Sequence, residues 1–247
     1  AFYATTDKMY FRAQESSTGS EPYVLTSLDP FPSIVSVTST TENGSYKVGD
    51  EINITVNFSE VVTLSSGGSV TVTLETGSTD RAVSIASISS ATSATTNYTI
   101  QAGDLSSDLN VKSMTVSGAL SDNSGQIMED YSIGSNLSSS SAIVVDGTSP
   151  TVASVKSASS NAAYGAGAEI NIAVNFSEVV SLSSGGSITV TLETGDSDRT
   201  ISLTSISNDT TASGTYTVQD GDGSSDLNVN TIVLSSGATL KDVAGNA

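Results

Sequence analysis

The stretch EINITVNFSEVV, residues 51–62, returns as EINIAVNFSEVV at residues 169–180. Each copy alternates apolar and polar residues with a period of two, the pattern of a strand with one buried face. Each copy then breaks its apolar run with the same acid, Glu60 or Glu178. The duplication extends outward. At a shift of 118 residues, 26 of 31 positions are identical between Glu51–Arg81 and Glu169–Arg199. The same shift sets Tyr98 on Tyr216, Gln101 on Gln219, Asp104 on Asp222, Asp108 on Asp226 and Pro32 on Pro150. Further on, LSDNSG from Leu120 matches LKDVAG from Leu240 at a shift of 120. The chain therefore holds two tandem copies of one unit. A period near 118 residues is too long for a solenoid and fits a β-sandwich of about 100 residues.

The rest of each unit reads the same way. β-Branched residues dominate short alternating runs, and Gly, Ser, Asn and Asp clusters separate them. In the first unit this predicts seven strands: Ile34–Ser39, Ile52–Phe58, Ser69–Glu75, Ala82–Ile88, Thr96–Gln101, Val111–Val116 and Ala142–Val145. The second unit repeats the first six. Only Leu105–Leu109 suggests a helix, and a short one. The cores are expected to be Val, Ile and Leu, with Tyr98 and Tyr216 at matching buried positions. Asn43-Gly44, Gly67-Gly68 and Gly185-Gly186 read as turns. Arg81 and Arg199 each follow an aspartate and read as local ion pairs at a strand start, worth little if exposed.

Composition removes several functions. The 247 residues carry 26 acidic and eight basic side chains, a net charge of −18, and no Cys, His or Trp. Disulfides and thiolate metal sites are impossible, and the commonest acid–base and transition-metal side chain is missing. Eight scattered cations do not build the basic patch that nucleic acid requires, and they argue equally against an anionic membrane surface. An acidic, Ser/Thr/Gly-rich chain can signal disorder, but the regular alternation argues against that. No apolar run approaches the roughly 18 residues of a membrane span. No signal peptide is visible, which reads as a mature chain or an excised fragment. The composition suits an extracellular bacterial surface protein.

Catalysis finds no support. Ser and Thr are abundant, but no His activates them and no Gly-x-Ser-x-Gly elbow is present. Paired carboxylates could serve a glycosidase, yet the carboxylates recur in both units, as structural ligands would. A hard cation fits better, because Ca²⁺ takes six to eight oxygens. The string DGDGSSD places Asp220, Asp222 and Asp226 with glycine between them, as in part of a calcium loop; a solvated acidic turn is the alternative. The first unit keeps only Asp104 and Asp108 there, with Ala102 in place of Asp220. The Asn57-Phe-Ser and Asn175-Phe-Ser sequons arise by chance in so Asn/Ser/Thr-rich a chain.

INITVNFSEVV, VTVTLETG, YTVQDGDGSSDLNV, LKDVAGN and the joining VVDGTSPTVASV together resemble bacterial Ig-like repeats, which are strung in tandem in surface adhesins, S-layer-like proteins and secreted fibres. The resemblance covers about Pro30 to the end of the sequence. It implies an all-β fold: two tandem Ig-like β-sandwiches, residues 30–147 and 148–247, behind a separate segment 1–29. That segment and its edge hold six of the thirteen aromatics: Phe2, Tyr3, Tyr10, Phe11, Tyr23 and Phe31. DKMYFRAQ and EPYVLTS read as a hairpin around the polar turn ESSTGS. A lone hairpin cannot bury six aromatics. It either packs on the adjacent sandwich or on copies of itself, and FYATTDKMYFRAQ…YVLTSLD resembles the short units of trimeric phage tail fibres. Three copies on an axis would bury what one must expose.

Three readings of function follow: an adhesive fibre module contacting a foreign glycan or protein, a rigid spacer stiffened by calcium, and an accessory module of a secreted enzyme. Two structural expectations accompany them. The last strand of the second unit is missing, because only five residues follow Asp242 whereas Asp146 lies 24 residues beyond Asp122. The truncated reading has the chain continuing; the alternative has another chain supplying the strand. The second expectation concerns the acids. If the second strand of each unit ends at Phe58 or Phe176, Glu60 and Glu178 fall in the next loop, at the pole shared by Asp122 and Asp242. Asp104, Asp108 and the linker residue Asp146 fall at the opposite pole. Joining the units end to end then sets Asp104, Asp108 and Asp146 against Glu178 and Asp242, a gap that Ca²⁺ would neutralise. The junction of Asp29 with Glu60 and Asp122 repeats this more weakly.

Overall fold

A computed structural model describes residues 30–247 in full and, before them, the backbone of residues 3–5, 8–15 and 19–25. The described residues are all-β. At the start, β1 (Tyr3–Thr5), β2 (Lys8–Glu15) and β3 (Gly19–Leu25) pair in order as an antiparallel sheet, with Phe11 opposite Tyr23. The expected hairpin is the β2–β3 pair. The packing of its aromatics, the expected trimer and linker Asp29 lie outside the described residues.

The first repeat continues with β4 (Ile34–Thr38), β5 (Gly44–Tyr46), β6 (Glu51–Leu64), β7 (Ser69–Glu75), β8 (Arg81–Ile85), β9 (Ala91–Thr99), β10 (Leu105–Ser106), β11 (Asn110–Ser117), β12 (Leu120–Asp122), β13 (Ile133–Ser135) and β14 (Ile143–Asp146). All seven strands read from the sequence are present, and β5, β10, β12 and β13 are additional. One sheet runs β9–β6–β4–β13, with β12 on the far end of β6; a second runs β11–β7–β8. A third ladder sets β14 antiparallel to β10 and parallel to β5. The alternation in sequence explains the packing. Ile52, Ile54 and Val56 of β6 and Val70, Val72 and Leu74 of β7 are at most 1% exposed and join one apolar cluster with Ile143 and Val145 of β14. Each such side chain contributes about 1.5–3 kcal/mol on burial.

The second repeat runs β15 (Val152–Ser157), β16 (Glu169–Leu182), β17 (Ile188–Glu193), β18 (Arg199–Leu203), β19 (Asp209–Thr217), β20 (Asn228–Leu234) and β21 (Leu240–Lys241). Its sheets are β15–β16–β19, with β21 on the end of β16, and β18–β17–β20. A second apolar cluster, from Ile170 to Tyr216, lies between them. Six strands were expected here and seven are found. The seventh, β21, is the counterpart of β12 and pairs with the end of β16; no strand of residues 148–247 takes the place of β14.

Two expectations are corrected. Leu105–Leu109 is not helical. Leu105 N donates to Thr76 O at 3.0 Å and Leu105 pairs with Asp146, so the segment is drawn into a ladder as β10. The helical turn among the described residues is a 3₁₀ turn at Leu137–Ser139, where the Asn136 side chain accepts from Leu137 N. Nor do the second strands end at Phe58 and Phe176. β6 and β16 are 14 residues long and carry Glu60 and Glu178 inside them. Buried residues fall on even positions, 52 to 58 and then 62 and 64, so Glu60 occupies an inward place. There the ladder with β9 is interrupted: Asn57 pairs with Ser93 and Val62 with Ala91, leaving four residues opposite one, a bulge that re-aims the strand. β16 repeats this between Asn175 and Val180. An acid on the inward parity reads as a strand end, yet the backbone continues from pairing with β4 to pairing with β12.

Candidate cation site at the junction of the repeats

Asp146 ends β14, Glu178 lies inside β16, and Asp242 follows β21. One carboxylate oxygen from each lies within 4.8 Å of the others. Local geometry holds Asp146 and Asp242 in place. The chain leaves β14 through Gly147, whose N donates to Asp104 O at 2.7 Å and whose O accepts from Gly103 N at 2.8 Å. A Cβ on Gly147 would stand 2.4 Å from Gln101 O, so a side chain has no room there. Asp146 Oδ1 then accepts from Thr148 N at 3.1 Å and Thr148 Oγ1 at 2.9 Å, as aspartate does in a tight turn. Across the junction, Asp242 Oδ1 accepts from Gly245 N at 2.6 Å and Asn246 N at 2.9 Å. Asp242 Oδ2 accepts from Asn246 Nδ2 at 2.7 Å.

Asn246 ties the two repeats. Its Nδ2 also donates to Asp146 O at 2.9 Å, and its Oδ1 accepts from Val48 N at 3.4 Å. It is only 6% exposed. The sequence offered one sign of it: Asn246 falls on Gln126 when LKDVAGN is laid on LSDNSGQ.

The electrostatics of the trio are unfavourable as it stands. Glu178 has its carboxyl raised above the ordinary glutamate value, first by burial and then by the charges of Asp146 and Asp242. None of the ion pairs among the described residues involves these three acids. An all-oxygen, multiply negative donor set suits a hard divalent cation, and backbone carbonyls and water complete six to eight ligands for Ca²⁺. The residues present fit such an ion in donor type and in spacing.

The other acids singled out in the sequence lie elsewhere. Asp104 is fully buried and already engaged: Arg81 Nε donates to its Oδ1 at 2.7 Å, while Tyr98 Oη and Gln101 N donate to Oδ2 at 2.6 and 2.9 Å. Asp222 repeats the arrangement with Arg199, Tyr216 and Gln219. The expected local pairs of Arg81 and Arg199 with their preceding aspartates are thereby corrected. Each arginine reaches an acid 23 residues on, because the loop after β9 or β19 folds back over the start of β8 or β18. Asp80 instead pairs with Lys112 at 2.8 Å, and Asp198 accepts from Asn230 Nδ2 at 2.9 Å. The Tyr216 hydroxyl holds the Asp222 carboxyl below its usual range, and burial pushes Tyr216 itself up to about 12. Burial likewise raises Tyr98.

Asp108, Asp220 and Asp226 are exposed, and no trio among the described residues includes them. Glu60 is half-buried on β6, and Asp122 is buried, its Oδ1 accepting from Ser124 N and Gln126 N at 2.8 Å each. Their expected partner Asp29 lies outside the described residues. Of the ten acids, the junction thus gathers Asp146, Glu178 and Asp242. No family model matches the chain, and no curated protein matches it.

Proposed function

We propose that this chain is a non-catalytic structural module of an extracellular fibre, a rigid spacer whose joint is stiffened by Ca²⁺ between Asp146, Glu178 and Asp242. The observation that carries this reading is the convergence of three carboxylates, two of them from the second repeat and one from the exit of the first, within 4.8 Å. Such a cluster repels itself unless neutralised, and a cation there would fix one repeat against the other. The tandem motifs resembling bacterial Ig-like repeats support an extracellular place. No helix among the described residues is long and apolar enough to cross a membrane. Within a longer fibre, the module would set length and stiffness and so present a contact with a foreign glycan or protein surface. Three copies of residues 1–29 joined in one shaft would give it an oligomeric base.

The test is calorimetric titration with Ca²⁺ after chelation, paired with small-angle scattering. Binding of one ion, a rise in melting temperature and a narrower distribution of particle length are expected. The double variant Asp146→Asn, Glu178→Gln should lose all three. Heat of binding unchanged in that variant would move the ion elsewhere, and no binding by the wild-type chain would end the calcium reading.

A further inference from the structure

The second repeat carries an open groove of about 880 Å³, lined by Val155, Tyr164, Ile172, Leu192, Leu227 and Val229 among others. Its position is defined by the first repeat. Subtracting the 118-residue shift gives Val37, Tyr46, Ile54, Leu74, Leu109 and Val111. All six of these belong to the first apolar cluster or pack against it, together with Leu137, Ile143 and Val145, which are at most 1% exposed. The groove is thus the space that β14 and the turn before it fill in the first repeat. Exposure of the matching residues records the difference: Val37 and Leu109 are fully buried, whereas Val155 and Leu227 are only half-buried.

The backbone tells the same story. In the first repeat, β14 pairs with β5 in parallel, Ile143 opposite Gly44 and Val145 opposite Tyr46. It pairs with β10 in antiparallel fashion, and Leu109 N donates to Ile143 O at 2.8 Å. The counterparts of β5 and β10, residues 162–164 and 223–224, belong to no strand. Both segments line the groove. Exposed apolar surface beside backbone that belongs to no ladder is a template for an added strand.

We propose that this groove is a strand-binding site, and that its occupant is an extended segment with the pattern of residues 143–147, aliphatic–x–aliphatic–Asp–Gly. The strand enters parallel to residues 162–164 and antiparallel to residues 223–224. Two aliphatic side chains, in the places of Ile143 and Val145, fill the groove and cover Leu227 and Val155. The glycine is required for the reason it is required at Gly147: the following chain passes against the loop at Gln219 and Asp222, the counterparts of Gln101 and Asp104. This inference is independent of the cation at the junction.

The probe is a fluorescent synthetic peptide, SSAIVVDGTS, copied from residues 140–149 and added to the whole chain. One-to-one binding is expected, with slowed amide exchange at residues 162–164 and at Leu227, and with a higher melting temperature for the second repeat. Peptides carrying Val145→Asp or Gly147→Ala should bind at least ~10-fold more weakly, a difference of about 1.4 kcal/mol. These changes are made in the peptide, so misfolding of the chain cannot imitate the loss. Equal binding of a scrambled peptide, protection confined to other strands, or no binding at all would overturn the proposal.

Discussion

The two repeats share their sheets and differ in their closure. β6 and β16 agree at all but two of their 14 positions, and both bulge at the same place. Yet Ile52 and Ile54 are 0% exposed while Ile170 and Ile172 are 9% and 5% exposed. The same residues in the same strands bury less where residues 148–247 supply no counterpart of β14. Burial at a position is therefore a property of the ladder that covers it, not of the strand that carries it.

The buried aspartates give the strongest way to break this comparison. Asp104→Ala should strip Arg81, Tyr98 and Gln101 N of a common acceptor; removing one partner of a buried pair costs about 3–5 kcal/mol. Calorimetry should show the first repeat's transition falling most. Asp222→Ala should weaken the second repeat less, since Asp222 borders the open groove. Its carboxyl is depressed below the ordinary value of 3.8, so its contribution is present above that pH and is lost as pH falls through the depressed value. The penalty of the variant should accordingly shrink in strong acid.

Core truncation should come next. Leu109→Ala should cost about 2–5 kcal/mol, as for a fully buried leucine. Leu227→Ala should cost less than half as much, measured by urea unfolding, and its cost should rise when the SSAIVVDGTS peptide is present. Equal costs without the peptide would mean that the groove is already filled.

A smaller effect is expected at the joint. The Glu178 carboxyl is raised above 4.5, so the folded state holds its proton longer than the unfolded state does. Stability is then full below the ordinary glutamate value and declines as pH rises through the raised one. In chelator, Glu178→Gln should flatten that decline. Ca²⁺ affinity should show the opposite trend and fall as pH drops, because the ion needs the carboxylate. Smallest in stability, Asn246→Ala should cost about 1–3 kcal/mol, because it leaves the buried Asp242 carboxylate, Asp146 O and Val48 N without their amide partner. It should widen the scattering distribution by releasing Asp146 O and Val48 N from across the joint.

Periodicity and duplication made most of this legible in the sequence. Seven strands of the first repeat and the matching tyrosines follow from alternation and duplication; of the five acids expected at the joint, Asp146, Glu178 and Asp242 come together, while Asp104 is held by Arg81 and Asp108 joins no such trio among the described residues. The missed features are tertiary. Arg81 chooses Asp104 over its neighbour Asp80 because a loop returns to it, which no local pattern encodes. Glu60 and Glu178 read as strand ends because a bulge lets an acid hold an inward place without ending the ladder. β10 and β13 are two and three residues long and exist only because β14 and β4 lie beside them.

The parallel pairing of β14 with β5 has a mechanical consequence. Tension along a fibre would pull β14 towards its C-terminal end and β5, through β4, towards its N-terminal end. Two parallel strands drawn in opposite directions slide past each other, so their bonds share the load and must yield together rather than one by one. Resistance to forced unfolding is set by the rate of that event and not by equilibrium stability. The first repeat should accordingly be the stiffer link under pulling, and the second should match it only with a strand seated in its groove.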